Sequence, residues 1–327
     1  MNLKNKTILI TGGTGSFGNA FVNYSIRNNL FKKIIIFSRD EMKQWFMKEK
    51  YKRYSQKLRF FIGDVRDYRR LEKSLIDVDY VIHAAATKIV PTAEYDPFEC
   101  VKTNVIGAMN VIDACINRNV VNVLALSTDK ACNPINLYGS TKLASDKLFI
   151  SANHYSAKFN TKFSVMRYGN VIGSRGSVVP FFLEMKKNKK SIPVTNIEMT
   201  RFMISLEDAV KASLVSIKEM IGGEIFVQKC SSIKIIDLAK AISNDIKIIG
   251  KKPGEKINEM MIDNNESENT FEFDDYFKIV PRIFSPEITK KIIINGKKVK
   301  KGFEYVSNIN KNWITTNNIK KFIKEFL

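Results

Sequence analysis

The sequence predicts an α/β protein: a doubly wound parallel sheet followed by a smaller, less regular C-terminal α/β domain. Through the first half of the chain, short apolar runs alternate with amphipathic stretches, the order that βαβ units produce. The runs are rich in Ile, Val, Leu and Phe, as strands covered on both faces must be. After about Gly169 the alternation gives way to short strands mixed with helices and charged, irregular stretches.

The first run, KTILITGG (Lys6–Gly13), leads into ITGGTGSFGNAF, where Gly12, Gly15 and Gly18 recur every third residue before a helix begins. Glycine lets the backbone turn sharply and approach a pyrophosphate, and the helix N-terminus supplies free N–H groups. A strand before and a helix after are the context that a dinucleotide site of the Rossmann type requires. Gly12, Gly15 and Gly18, with Thr14, Ser16 and Phe17, are therefore candidate cofactor contacts. The second run, KKIIIFSR (Lys32–Arg39), ends where an acidic residue would hold the ribose 2′-hydroxyl of NAD. Ser38 stands there instead, followed by Arg39. A carboxylate would repel a 2′-phosphate and arginine attracts one, so NADP is expected, with Asp40 as the opposing charge and Lys43 as a further candidate contact. The third run, LRFFIGDV (Leu58–Val65), brings Asp64 and Val65 towards the adenine. The fourth, DYVIHAAA (Asp79–Ala86), brings Ala84, Ala85 and Ala86 to the carboxyl edge. A helix is predicted over 97–119, a fifth strand over Asn122–Thr128, a helix over 138–156 with Leu143, Ala144, Leu148 and Ile150 on its apolar side, and a sixth strand over Lys162–Gly169. Beyond these, Ser191–Thr195 and Gly223–Gln228 read as strands, and Leu206–Met220 and Lys234–Ser243 as helices. Residues 207–228 are expected to return to the main sheet. That divides the chain into a dinucleotide-binding domain (1–170 plus roughly 206–228) and a substrate-binding domain (roughly 171–205 and 229–327). The tail from Asn264 yields no assignment.

Composition narrows the function classes. A chain of 327 residues that is 44% hydrophobic can bury a sizeable core. No apolar run approaches the ~18 residues of a membrane span. The N-terminal apolar segment is only TILI before glycines break it, which does not fit a signal peptide, so a cytoplasmic protein is expected. The four cysteines are scattered with no CxxC spacing, which argues against a disulfide framework or a metal site. With only two histidines, hydrolytic triads are poorly supplied, and His83 at a strand end reads as structural. The net charge of +20 is spread along the whole chain. It therefore reads as solvated basic faces, attractive to an anionic nucleotide-sugar, rather than as a nucleic-acid surface.

The stretch STDKACNPINLYGSTK, Ser127 to Lys142, carries the chemistry. Tyr138 and Lys142 share one helix face. A free tyrosine has a pKa near ~10, and lowering it by about three units needs ~4 kcal/mol of preference for the phenolate. Lys142 and an oxidised nicotinamide can supply that preference, with a hydroxyl on Ser127 or Thr128 holding a substrate alcohol. This is hydride-transfer chemistry, with Tyr138 removing the alcohol proton. Asp129 and Lys130 are not needed for oxidation alone. They fit a second step, in which a ketone at carbon 4 of a sugar acidifies carbon 5. Lys130 then removes that proton while Asp129 protonates the hydroxyl leaving carbon 6. Their mutual ion pair opposes both roles, and a loop salt bridge is the alternative.

These motifs resemble the extended short-chain dehydrogenase/reductase family, and within it the inverting UDP-N-acetylglucosamine 4,6-dehydratases (also 5-epimerases) of the pseudaminic acid pathway. The likeness runs through TGGTGSFG, SRDEMKQ, RFFIGDVRD, STDKACNPINLYGSTKLASDKLF, RYGNVIGSRGSVVPFF, MTRF, GGEIF and PGEK. Retaining relatives carry Asp-Glu where this chain has Asp129-Lys130, so the resemblance implies reprotonation of carbon 5 from the opposite face. The implied product is UDP-2-acetamido-2,6-dideoxy-β-L-arabino-hex-4-ulose. Tyr138 argues against a related capsular group that has Met there. The resemblance also implies that Lys88 lies near both cofactor and substrate, that Asn170, Val178, Thr195, Met199 and Arg201 meet the nucleotide-sugar, and that Glu255 helps close the site. It implies a homo-oligomer, a hexamer or a dimer. Ile89 departs from the family's Lys-His-Val-Pro. A 4-epimerase or a retaining 4,6-dehydratase of the same fold is the alternative activity.

Overall fold

The computed structural model of the chain describes residues 3–156, 159–281, 285–315, 317–319 and 323. Six parallel strands form the heart of the molecule: Thr7–Thr11 (β1), Lys33–Ser38 (β2), Leu58–Ile62 (β3), Tyr80–His83 (β4), Asn122–Leu126 (β5) and Lys162–Arg167 (β6). These are the six apolar runs of the sequence, and they stand in the order β3-β2-β1-β4-β5-β6. Alternate residues feed opposite faces. Leu9, Ile35, Phe37, Val81, Val123 and Ala125 enter the core on one side. Ile8, Ile10, Ile34, Ile36, Ile82 and Leu124 enter the core on the other. The strand order reverses at β1, which pairs with β2 on one edge and β4 on the other. The crevice beyond the carboxyl ends at such a switch point is where open α/β sheets take ligands.

Ile225–Gln228 joins β6 in parallel, and the Leu206–Glu219 helix before it packs against the Ser16–Arg27 helix. The sheet then turns antiparallel through Tyr276–Ile279, Thr270–Glu272 and Lys297–Lys298 to reach ten strands among the described residues. Part of the tail left unassigned from sequence thus completes the main sheet. A smaller sheet of Ser231–Lys234, Thr200–Ile204 and Asn170–Val171 lies with a third apolar cluster that includes Val179, Phe182, Val194, Leu238 and Ile242.

The helix predicted over 97–119 is interrupted. Pro97–Val101 and Gly107–Asn117 are α-helical, with a π-helical turn at Lys102–Ile106 between them. That turn accompanies an inward-facing Asn104, whose amide donates to Thr87 O at 2.9 Å and Thr141 Oγ1 at 3.0 Å and accepts from Thr87 N at 2.8 Å. Extra-residue turns of this kind recur where a helix re-aims a side chain. All four cysteines are buried free thiols. No helix among the described residues is long and apolar enough to cross a membrane.

Candidate active site

A cleft of about 730 Å³ opens at the carboxyl ends of β1, β2 and β4. Its floor begins at the glycine loop. Gly12 has φ +65, and a Cβ there would lie 2.9 Å from Ala84 O, so only glycine lets the two strand ends approach this closely. Gly18 does not line the cleft. A Cβ on it would stand 2.1 Å from Gly13 O, so it serves the packing of helix on loop. Thr14, Gly15, Ser16 and Phe17 line the cleft. The Thr11 hydroxyl accepts from Ala84 N and Ala85 N, each at 3.2 Å, and lies 2.9 Å from His83 Nδ1. With two N–H groups pointing at it, its own hydrogen goes to that nitrogen. Burial, then the charge of Lys142, lowers His83 to about 3, so the imidazole stays neutral and structural.

At the far end, Ser38, Arg39, Asp40, Lys43, Asp64 and Val65 line the wall. Asp40 caps the Glu41–Lys50 helix through Lys43 N and is ion-paired with Lys43. Arg39 faces Asp64 at 3.6 Å, and Asp64 also takes Arg66 at 2.7 Å. Burial would raise the Asp64 carboxyl, but the two guanidinium groups outweigh it and hold its pKa below the usual carboxylate range. Glycines and helix N-terminus, with a wall of paired charges (Arg39 with Asp64, Lys43 with Asp40), fit a nicotinamide dinucleotide.

Next to the dinucleotide end lie the residues of the Ser127–Lys142 stretch. Asn136 caps the Leu137–Tyr155 helix by accepting from Gly139 N, which fixes Tyr138 and Lys142 in its first turns. Tyr138 is raised to about 12 by burial, against the downward pull of Lys130's charge and the Thr128 hydroxyl. Lys142 is buried, its pKa lowered mainly by burial, and its ammonium donates to Leu126 O at 2.8 Å. Between the two hydroxyls left open by the sequence, Ser127 is committed: it donates to Asp146 Oδ2 at 2.8 Å. Thr128 lines the cleft and donates to Asp129 Oδ1 at 3.0 Å.

Lys130 also lines the cleft. Its ammonium lies 3.0 Å from Asp129 Oδ1, 3.2 Å from Glu259 Oε1 and 3.4 Å from Asn170 Oδ1. Burial would lower its pKa, but the two carboxylates outweigh burial and push it up. Asp129 lies beneath the cleft lining. Burial and the charge of Glu259 raise its pKa, although Lys130 and Thr128 act the other way. Glu259 is the residue that sequence reasoning misses. It is far from Lys130 along the chain, and only the fold brings them together.

Lys88 and Asn170 line the cleft, Lys88 donating to Arg175 O at 3.0 Å. Arg175, also missed, reaches across the glycine loop to donate to Thr14 O at 2.6 Å. Its only sequence signal is the pair of flanking glycines, Gly173 and Gly176, both at positive φ. The remaining expected substrate contacts stand off the cleft lining. Val178 opens the Val178–Lys187 helix and Met199 is buried in the third cluster. Thr195 donates to Glu255 Oε2 at 3.1 Å. Arg201 is buried, donating to Thr200 O, Ile257 O and Lys256 O and lying 3.8 Å from Glu259. Elsewhere among the described residues, Cys132, Asp263 and Glu266 bring ligand-type atoms within 4.8 Å of one another. Arg167 donates to both Glu266 oxygens, and its charge opposes a cation there.

Residues 8–281 match the family described as polysaccharide biosynthesis protein. The chain is 53% identical, over 94% of its own length and 94% of the relative's, to the UDP-N-acetylglucosamine 4,6-dehydratase (inverting) of Campylobacter jejuni subsp. jejuni serotype O:23/36. It is 44% identical, over 84% of its length and 82% of the relative's, to the UDP-glucose 4-epimerase of Rickettsia conorii. The X-ray structure of Pen from Bacillus thuringiensis superposes with a TM-score of 0.89 at 35% identity, covering 99% of this chain and 100% of that one.

Proposed function

Because this chain belongs to the polysaccharide biosynthesis protein family, we propose that it is a hydro-lyase that converts UDP-N-acetylglucosamine, with inversion at carbon 5, to UDP-2-acetamido-2,6-dideoxy-β-L-arabino-hex-4-ulose. The observation that carries this reading is the ammonium of Lys130 beside Asp129 on the cleft wall shared with Tyr138. A nicotinamide dinucleotide held along Gly12, Thr14, Gly15, Ser16 and Phe17 would supply reversible hydride acceptance, from carbon 4 and back to carbon 6. Tyr138 takes the carbon-4 hydroxyl proton, steadied by Thr128. The ketone so formed acidifies carbon 5. Lys130, once neutral, removes that proton, Asp129 protonates the carbon-6 hydroxyl as it leaves as water, and a solvent-derived proton then reaches carbon 5 from the opposite face as carbon 6 regains the hydride. Asp129 meets that hydroxyl only after Lys130 and Thr128 shift to uncover it.

The cofactor reading is NADP. Arg39 and Lys43 stand at the end of β2, where a 2′-phosphate would lie, and no carboxylate replaces Ser38. Residues 1–170 with roughly 206–228 form the dinucleotide half, and roughly 171–205 with 229–327 the substrate half, the latter lending Thr270–Glu272, Tyr276–Ile279 and Lys297–Lys298 to the main sheet. Lys88 and Asn170 reach the nucleotide-sugar directly. Val178, Thr195, Met199, Arg201 and Glu255 contact it only after the second half closes, since none lines the cleft as it stands. The protein works in the cytoplasm as a homo-oligomer, at the first step of pseudaminic acid synthesis, with flagellin glycosylation among the destinations of its product.

The similarity to a 4-epimerase favours a second reading, in which Tyr138 and Lys142 act and Lys130 has no chemical task. Purified protein with UDP-N-acetylglucosamine in heavy water separates the two by NMR. The dehydratase yields a carbon-6 methyl signal with deuterium at carbon 5, and the epimerase yields UDP-N-acetylgalactosamine. Lys130→Ala is expected to permit oxidation and block dehydration. Full product from that variant removes the role given to Lys130.

A further inference from the structure

The sequence leaves a conflict: the acid and the base of the elimination form an ion pair with each other, which keeps Asp129 ionised and Lys130 protonated. Glu259 changes the acid's half of this arrangement; as a second carboxylate on Lys130 it also tightens the hold on the base's proton, which substrate binding must overcome. Its Oε1 lies 3.2 Å from Lys130 Nζ and 3.8 Å from Arg201 Nε. Its side chain is 3% exposed. Its place is held by Glu259 N donating to Ser307 Oγ at 2.9 Å and by Ser307 N donating to Glu259 O at 2.8 Å. Two cations thus face Glu259 at Oε1, whereas Asp129 faces one. Both donors near Asp129, the Thr128 hydroxyl and the Lys130 ammonium, address Oδ1. Oδ2 of Asp129 and Oε2 of Glu259 are both buried without a partner among the described residues, so the cations at Glu259 Oε1, two against one, are what set the two carboxyls apart.

We propose that Glu259 is the counter-ion of Lys130 and a positioning residue for the elimination, releasing Asp129 to carry on Oδ2 the proton that the leaving hydroxyl takes. In that step the carbon–oxygen bond breaks, the proton passes from Asp129 to the departing oxygen, water leaves, and Asp129 is left as a carboxylate beside Lys130. The directions of the pKa shifts agree. Asp129 is raised by burial and by Glu259. Glu259 is lowered, because Lys130, Arg201 and Lys256 outweigh its burial. Tyr138 and Cys230 are the other titratable groups that feel the charge of Asp129. The inference rests on the dehydratase reading, and its main test does not use turnover.

The test is a carbon-13 NMR titration of protein labelled at aspartate and glutamate carboxyls, with Asp129 and Glu259 identified by the signals that Asp129→Asn and Glu259→Gln remove. In the unmodified protein, Asp129 is expected to take its proton at higher pH than Glu259. The reverse order overturns the proposal whether or not any variant folds. Glu259→Gln is expected to lower the Asp129 midpoint by about one unit or more, the size of a close like-charge effect, and Glu259→Asp to restore it. An Asp129 midpoint unmoved by Glu259→Gln also overturns the proposal. In turnover, both limbs of the pH–rate profile should move to lower pH in Glu259→Gln. A protein that shows the expected titration but forms no methyl product refutes the dehydratase reading alone.

Discussion

Tyr138 cannot act unaided, because burial holds its phenol at about 12. Tyr138→Phe is expected to slow the first half-reaction by about a hundred- to ten-thousand-fold, the usual weight of a positioned acid–base group, measured as the rate at which reduced-nicotinamide absorbance appears in a single turnover. The elimination needs Asp129 protonated and Lys130 neutral, one shared proton between them. Activity therefore falls at low pH, where the pair holds two protons, and at high pH, where it holds none. Asp129 is raised, so the acid limb is expected above the ordinary carboxylate range of ~3.9. A pH–rate profile flat down to that range would contradict this. Tyr138, Lys142, Asp129 and Lys130 were legible because one short stretch holds them all. Glu259 was not, because an isolated glutamate in an irregular segment looks like any solvated charge until the fold buries it. Arg201 was legible as a functional type, but its guanidinium is occupied by the carbonyls of Thr200, Lys256 and Ile257, which no sequence pattern announces.

At the scale of elements, the six parallel strands could be read directly, since doubly buried strands need continuous apolar runs. The π-helical turn could not, because its cause is the tertiary partnership of Asn104 with Thr87 and Thr141. Asn104→Ala leaves Thr87 N without its side-chain acceptor in a partly buried place. A loss of about 1–3 kcal/mol is expected, read from denaturant unfolding. Because Thr87 precedes Lys88 at the cleft, binding of nucleotide-sugar should weaken in the same variant. The short strands after Asn264 were illegible for a different reason. At two to four residues each, they carry too little alternation to stand out from loop, and they hold their places by pairing with Ile225–Gln228 and with one another.

At the scale of the whole molecule the net charge is +20, and the charges that bear on cofactor choice are few. Arg39→Ala is expected to weaken NADP binding by about tenfold or more, the worth of one charge-assisted contact, and to leave NAD binding nearly unchanged. Equal losses for both dinucleotides, measured by calorimetry, would place the 2′-phosphate elsewhere. Fold class and dinucleotide end followed from local patterns. The sugar end depends on residues gathered from distant parts of the chain, and there the sequence supplied residue types without their partners.

All four thiols are enclosed, and they are enclosed in different places: Cys115 and Cys230 within the core on one face of the main sheet, Cys100 in the small cluster around Tyr138, and Cys132 beside Glu266. An alkylating reagent can reach each only when its own surroundings come apart. The speed at which each sulfur is capped therefore becomes a clock for a separate local opening. Ligand that tightens the cleft should slow the clocks of Cys100 and Cys132 while leaving that of Cys115 to run as before.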